Sequence, residues 1–434
     1  MTFRFLHTGD LHLDSPFSGL SIEAPAGVAE TLREATLESW RQIVRIALDE
    51  PVEFVVVAGD VFEQANRTLR GQIRFRDGLA DLARAGIPSF VVTGNHDPLS
   101  GWEPSVTWPA LAHRFPAKEV TGRSVTRDGE EIARVYGVSY HVRDVTTNLA
   151  TRFGREPNVP FAVGLLHANV GGIEGAANYA PCSLPDLRAA EMDYWALGHI
   201  HRHQVLAKGR PTVVYCGNPQ GRDPGETDPR GCYVVTVDDA GRVHPEFRPA
   251  DVVRWQLVDV PIDGLRDEEG LVEAVVQAAD NARIAAGRSV VVRMRLSGRG
   301  SLHASLQRQG VLADARVVAQ EHLGETVPFA WIESLRDATR SELDLATRGL
   351  VDDFLGDLLR RFTATRSALN ADGAGEDSPA GGLSGEDLDR TLDELYSHER
   401  ARRYLRDARP NAARLAELLA EAEQLVVDRL GGEA

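Results

Sequence analysis

Five short blocks of metal-ligand residue types follow one another through the first half of the chain: Asp10-Leu11-His12, Gly59-Asp60, Gly94-Asn95-His96-Asp97, the lone His167, and Gly198-His199-Ile200-His201. Asp10, His12, Asp60, Asn95, His167, His199 and His201 are the candidate ligands, and His96 and Asp97 remain for moving protons. Carboxylate and amide oxygens mixed with imidazole nitrogens suit a pair of divalent ions such as manganese that share one carboxylate. Two ions roughly 3.5 to 4 Å apart bind the oxygens of a phosphodiester and lower the pKa of a water between them. Asp60 is the natural bridging ligand, because a carboxylate can give one oxygen to each ion, while Asn95 offers only a neutral amide oxygen. His96 stands beside Asp97, and a carboxylate hydrogen-bonded to imidazole fixes the tautomer and favours the protonated form, as a general acid for a leaving oxygen requires. The competing assignments are a further metal ligand for His96 and a turn residue before Pro98 for Asp97. The chemistry so implied is metal-dependent phosphodiester hydrolysis.

Such ligands need rigid elements to aim them at one point. Apolar runs at residues 3–6, 52–58, 89–93, 161–166 and 194–197 read as buried strands, each ending where a ligand block begins. Side chains at the carboxyl ends of successive strands converge on one edge of a sheet, where α/β folds place their sites. Gly59, Gly94 and Gly198 each precede a ligand, where a sharp turn or a close backbone approach is expected. Residues 29–48 make a helix whose apolar stripe is Leu32, Leu37, Trp40, Ile43, Val44 and Ala47. Strands at 212–215 and 232–237 lack long helices between them and point to a second, more antiparallel sheet. The expected architecture is α/β, a two-sheet β-sandwich flanked by helices.

At 434 residues the chain is too long for one ordinary core. The pattern divides it into a catalytic domain at 1–250, a small α+β capping domain at 251–345 and a helical C-terminal region at 346–434. The capping domain has strands at 255–261 and 290–296 around a helix at 268–286. A flexible linker rich in Gly, Ala, Asp and Ser is expected near 370–385, followed by a helix capped by Ser384 with Asp387 three residues on. Leu350, Val351, Phe354, Leu355, Leu358, Leu359 and Phe362 recur at helical spacing, and so do Leu415, Leu418, Leu419, Ala422, Leu425, Val426 and Leu430. The second stripe packs either on its own chain or on a partner helix.

With 43% hydrophobic and 26% charged residues and no apolar stretch approaching a bilayer span, the chain reads as a globular, cytoplasmic protein. Cys182, Cys216 and Cys232 have neither the spacing of a zinc site nor the number of a disulfide framework. A formal charge of −16 is unfavourable for binding nucleic acid, although bound divalent ions and local arginines can dominate the field at a substrate. Arg400, Arg402, Arg403, Arg406 and Arg409, with Tyr404 among them, form a basic cluster that reads as a solvated face or as a contact for DNA or another protein. Among the remaining histidines, His7 and His141 are the ones expected to support the ligands.

The five blocks resemble the calcineurin-like metallophosphoesterases. The opening Asp10-Leu11-His12-Leu13-Asp14-Ser15-Pro16-Phe17, with Asn178-Tyr179-Ala180-Pro181-Cys182 and Gly217-Asn218-Pro219-Gln220-Gly221-Arg222, is similar to bacterial DNA repair exonucleases of the YhaO type, relatives of the SbcD nuclease. The similarity covers about residues 3 to 250. It implies one ion on Asp10, His12, Asp60 and His201, a second on Asp60, Asn95, His167 and His199, and a proton-handling pair in His96 and Asp97. It also implies manganese dependence, a DNA substrate, a capping domain, and an SbcC-like coiled-coil ATPase as partner; a homodimer stays open. Asp223 departs from the more basic stretch expected after Gly221-Arg222. Two other functions compete with the nuclease: a phosphodiesterase for small nucleotides, which needs no 180-residue extension, and a non-catalytic scaffold that binds DNA ends.

Overall fold

A computed structural model of the chain describes residues 2–20, 22, 24–63, 68–100, 106–173, 177–324, 326–342, 345–370, 390, 392–393, 396 and 412–430. The expected linker after Asn370, the Ser384 cap and the arginine cluster from Arg400 to Arg409 lie outside these residues. Two compact units are present: one comprises residues 1–258, 278–293 and 323–334, the other 259–277, 294–322 and 335–434.

The first unit contains two six-stranded sheets. One runs in the order β12 (Val243–Pro249), β11 (Gly231–Val237), β1 (Phe3–Thr8), β2 (Phe54–Ala58), β3 (Ser89–Val92) and β4 (Ala112–Arg114). The other runs β5 (Thr121–Arg127), β6 (Glu130–Gly137), β7 (Ala162–His167), β8 (Tyr194–Gly198), β10 (Thr212–Tyr215) and β9 (Gln204–Ala207). The apolar runs that predict strands fall in both. β1, β2 and β3 are mutually parallel in the first sheet, and β7 and β8 are parallel in the second. The ligand blocks therefore end strands of two facing sheets, not the edge of one. The pair at 212–215 and 232–237 also separates: β10 lies parallel to β8, while β11 lies antiparallel to β1 in the other sheet.

Facing rows of large side chains hold the sheets together. Phe5 and Phe54 stack with ring centroids 4.8 Å apart, and Tyr194 from the opposite sheet meets Phe5 edge-on at 5.1 Å. Phe90, Val163, Leu165 and Val214 close the same core. Helices Ala26–Asp49 and Leu69–Arg84 cover the outer face of the first sheet, burying Trp40, Ile43, Val44 and Phe75 against Val55 and Val57. The second helix starts where Thr68 accepts the Gly71 N–H, and Asp14, just beyond the first ligand block, holds Thr68 and Arg70. This links the start of the chain to the helix that follows β2.

Beyond the sandwich, β13 (Val253–Pro261), β14 (Ser289–Ser297) and β15 (Ala330–Asp337) form a three-stranded sheet, with helix Glu268–Ala286 between the first two. β15 has no counterpart in the expected pattern. In the second unit helix Phe354–Asn370 packs on helix Ala412–Leu430 through Leu355, Leu359, Val426 and Val427. The packed face shares Val426 with the expected stripe but is rotated from its exposed leucines. Buried Glu423, paired with Arg366, and Val427 four residues later point into the contact, while Leu418, Leu425 and Leu430 stay exposed. The ion pair lies on the covered side of the helix, where the buried carboxylate faces its partner beside the apolar contacts. Among the described residues, no helix is long and apolar enough to cross a membrane.

Phe54 is fully buried between the sheets. Phe54→Ala should lower unfolding free energy by about 3–5 kcal/mol in a guanidinium titration; a loss under about 1 kcal/mol would mean that the sandwich core does not set stability.

Candidate metal centre

Loops leaving the carboxyl ends of β1 and β2 are joined by backbone hydrogen bonds: the Asp10 N–H donates to the Gly59 carbonyl, and the His12 N–H to that of Asp60. Side chains continue the join. The Asp10 carboxylate accepts the His199 backbone N–H from the loop after β8, and Asp60 Oδ1 accepts the His96 backbone N–H from the loop after β3 at 2.9 Å. Asp10, His12, Asp60 and His199 all adopt positive φ, at 48°, 42°, 48° and 97°. Non-glycine residues rarely do so, and each such residue costs on the order of 1 kcal/mol that surrounding structure must offset. Glycine is required by crowding beside them: a Cβ on Gly94 would lie 2.3 Å from Asp60 Oδ1, and one on Gly198 would lie 2.1 Å from the Ala58 carbonyl oxygen.

The predicted ligands Asp10, His12, Asp60, Asn95, His167 and His201 are brought together in this space. Ligand atoms of Asp10, His12 and His201 lie within 4.8 Å of one another, and so do those of Asp10, Asp60 and His167. His167 Nδ1 donates to the Ala58 carbonyl at 2.9 Å, which leaves Nε2 facing Asn95 Oδ1 at 3.0 Å and Asp60 Oδ2 at 3.3 Å. His12 Nε2 faces His201 Nε2 at 3.2 Å and lies 4.0 Å from Asp60 Oδ2. His199 is at the margin: its ring centroid is 5.2 Å from that of His167, and its Nε2 donates to the Ala177 carbonyl at 2.6 Å, leaving Nδ1 as the available nitrogen.

Two residues that sequence reasoning passed over complete the arrangement. Glu226 Oε1 accepts from His201 Nδ1 at 2.6 Å, and Glu63 places one oxygen 3.3 Å from His12 Nδ1 and the other 2.5 Å from His96 Nδ1. The His201 contact is a hydrogen bond and the His12 contact a close approach without hydrogen-bond geometry; with each Nδ1 beside a carboxylate, both Nε2 atoms face into the site. That is the carboxylate–histidine arrangement that raises ligand basicity at metal centres. Imidazole nitrogens facing each other at 3.2 Å, beside two buried carboxylates, need a cation, so the residues present fit a divalent metal centre. Glu63 has a sequence signal in its spacing, three residues after Asp60, and Glu226 stands four residues beyond Arg222.

Asp97 requires a correction. Its carboxylate accepts the backbone N–H groups of Gly94 and Val61 at 2.7 and 2.8 Å, so it is a buried turn residue tying the loops after β2 and β3 together. The carboxylate on the His96 imidazole is Glu63, because the tight turn before Pro98 faces Asp97 inward while His96 faces the cleft. His7 lies 2.9 Å from the Tyr194 hydroxyl inside the sandwich, and His141 is exposed.

Electrostatics follow from burial. Desolvation pushes the Asp10 carboxyl up to about 6, against His167 and His201. Burial acts the same way on Asp60, but His167, with His12 and His96, holds that carboxyl well below the usual range. Burial opposes a charge on His167, yet the Asp60 and Asp10 carboxylates raise it to about 9. Burial, then the nearby Arg222 charge, lowers His12 to about 3; burial, then His167, lowers His199 to about 4. Burial lowers His96, but the Glu63 hydrogen bond and the Asp60 charge outweigh it and raise the imidazole. Burial, then the Asp60 charge, raises Asp97 to about 6. An open cleft of about 670 Å³ leads to the donors, bordered by Asp60, Asn95, His96, His199 and His201 and by the cationic side chains of Arg143 and Arg202.

This sandwich with its converging donors is that of a known class: the chain matches the family model described as calcineurin-like phosphoesterase over residues 3–203, and the model for the middle domain of metallophosphoesterase YhaO over residues 255–340. It is 36% identical over 355 residues to "Uncharacterized metallophosphoesterase YhaO" of Bacillus subtilis, covering 82% of this chain and 85% of that protein. The chain thus belongs to the calcineurin-like metallophosphoesterases of the YhaO type, and is a phosphodiester hydrolase by class. More distantly, it is 27% identical over 295 residues to a subunit of the nuclease SbcCD of the same organism, covering 59% of this chain and 69% of that one. It is also 27% identical over 289 residues to "DNA double-strand break repair protein Mre11" of Haloferax volcanii, covering 63% and 60%.

Glu226→Gln keeps the shape but removes the charge behind His201. It should weaken divalent-ion binding about 10- to 100-fold in a calorimetric manganese titration. Unchanged affinity would separate Glu226 from the centre.

Proposed function

We propose that the protein is a manganese-dependent DNA nuclease, an exonuclease of a repair complex. The observation that carries this is the convergence of the His12 and His201 Nε2 atoms, each with a carboxylate behind it, on the paired Asp10 and Asp60 carboxylates. In this reading Asp10, His12, Asp60 and His201 would hold one ion, and Asp60, Asn95, His167 and His199 would hold the other. The ions would bind the phosphate oxygens and activate a water. The protein's own residues do the rest. Asp60 would be shared by the two ions and Asn95 would add no charge to its ion, while Gly94 and Gly198 admit the close approach of the loops. His96, kept protonated by Glu63, delivers a proton to the leaving oxygen. Asp97 positions the Asn95-His96 turn and takes no part in proton transfer.

DNA is favoured over a small ester by the similarity to relatives named as part of a nuclease and as a double-strand break repair protein. Arg143 and Arg202 at the cleft mouth supply positive charge locally in a chain of net charge −16. The family resemblance supplies the partner, an SbcC-like coiled-coil ATPase, and the exposed Leu418, Leu425 and Leu430 of the last helix are apolar side chains available to it. The domain reading that accompanies this is a catalytic domain to about residue 250, a capping domain to 345 and a helical region beyond, in a cytoplasmic protein.

A substrate panel in manganese tests the reading: linear duplex, single-stranded DNA, a cyclic dinucleotide and bis-p-nitrophenyl phosphate. Release of nucleotides from DNA is expected; hydrolysis of the small esters alone would contradict it.

His96→Asn should retain bound metal but lose about 10²- to 10⁴-fold in turnover on DNA. On the nitrophenyl ester, whose leaving group needs no proton, the loss should be much smaller. Equal losses on both substrates would assign His96 to binding or structure.

A further inference from the structure

A second cavity, of about 620 Å³, adjoins the metal centre on the side of His201 and Glu63, and Ser15, Ser18, Arg222 and Asp223 line it with them. It is large enough to hold a nucleotide-sized group. Two of its donors lack partners. The Ser15 hydroxyl is buried, with the residue 2% exposed, and has no hydrogen-bond partner; the Arg222 Nε is likewise buried and unsatisfied. Among the described residues no carboxylate pairs with the Arg222 guanidinium, whereas Arg70, Arg155, Arg254 and Arg293 each face one. Buried polar groups are normally satisfied, so two orphaned donors on residues that line one cavity leave acceptor positions there for a ligand to fill.

The backbone holds these donors in position. Ser18 N–H donates to the Arg222 carbonyl at 2.9 Å, Ser18 Oγ donates to Asp223 Oδ2 at 3.2 Å, and Arg222 N–H donates to Glu226 Oε2 at 2.7 Å. Glu226 is the carboxylate on His201, so one side chain joins the Arg222 loop to a candidate metal ligand. The acidic groups on the cavity are already engaged. Asp223 takes Ser18 Oγ and the Gly225 N–H; Glu226 takes His201, Asn218 and two backbone N–H groups; Glu63 takes His96 and faces His12. The unused capacity of the cavity is therefore donor capacity, cationic at Arg222, and complementary to a phosphate.

We propose that this cavity is an anion subsite that takes the phosphate neighbouring the scissile one along a nucleic-acid strand, with the Arg222 guanidinium and the Ser15 hydroxyl as its donors. The inference rests on the reading of the centre as a nuclease site and gives it a substrate requirement: a second phosphate one nucleoside away. It also gives a purpose to the Gly217–Arg222 stretch. Asp223, which looks out of place in a phosphate-binding loop, positions Ser18 and leaves the gripping to its neighbour Arg222.

The test uses the full-length, manganese-loaded protein and isothermal titration calorimetry. Thymidine 3′,5′-bisphosphate is compared with thymidine 3′-monophosphate and thymidine 5′-monophosphate. The bisphosphate should bind at least about tenfold more tightly than the better monophosphate, the scale of a hydrogen bond to a charged group. Arg222→Ala should bring the ratio to within about twofold, and Arg222→Lys should retain part of it. Ser15→Ala changes no charge and guards against a purely electrostatic origin of the effect; it should lower the ratio about threefold or more. Unaltered melting temperatures establish that the variants fold. A wild-type protein that binds all three ligands equally, or an advantage that survives Arg222→Ala, overturns the subsite. A bisphosphate advantage in a protein that fails to cut DNA keeps the subsite and removes the nuclease reading.

Discussion

Two carboxylates buried side by side, Asp10 and Asp60, are the constraint to which the rest of the structure answers. Both are about 1% exposed, and both lie within ligand distance of His167. Like charges out of water repel strongly unless cations stand between them. Protons offset part of that repulsion: burial raises the Asp10 carboxyl, and the Asp60 and Asp10 carboxylates raise His167 against its own burial. Metal ions would serve better, because the facing His12 and His201 nitrogens would also find a cation there. The positive φ angles at Asp10, His12, Asp60 and His199 represent backbone strain that the sandwich holds in place. A sheet pair packed through Phe5, Phe54 and Tyr194 is stiff enough to do so.

Much of this was legible in the order of residues, because a run of apolar side chains that stops at a ligand block, repeated five times, is rarely a coincidence. The runs before His12, Asp60, Asn95, His167 and His201 are strands, and the helix stripe from Leu32 to Ala47 is the buried face. What single-strand periodicity does not contain is which strand lies beside which. β11 and β10 look alike in composition, yet one completes the first sheet and the other the second, a choice made by long-range pairing. Glu226 is illegible for a related reason, and the spacing of Glu63 from Asp60 hints at a role without naming its partner. A glutamate in a loop acquires meaning only when folding sets it behind a particular imidazole. Asp97 failed in the opposite direction, since adjacency to His96 in sequence invites a pairing that the turn geometry prevents. In the last helix the leucine stripe was visible, but the buried face carries the Arg366–Glu423 pair, which hydrophobic periodicity does not register.

The acidic chain also shows why net charge is a poor guide to the potential at a phosphoester-binding site. Many arginines outside the cleft are paired with carboxylates and contribute little to the far field. Near the centre, Arg143, Arg202 and Arg222 meet the substrate side of the molecule, and the ions that the site is built to hold would add charge where the scissile phosphate lies. Local potential, not composition, then sets binding.

The central claim is a pair of divalent ions held together by Asp60. Anomalous diffraction from manganese-soaked crystals of the full-length protein tests it most directly. The account predicts two manganese peaks roughly 3.5 to 4 Å apart, each in contact with an oxygen of Asp60, with His12 and His201 on one ion and Asn95 and His167 on the other. A single peak, or two peaks of which Asp60 touches at most one, would contradict it.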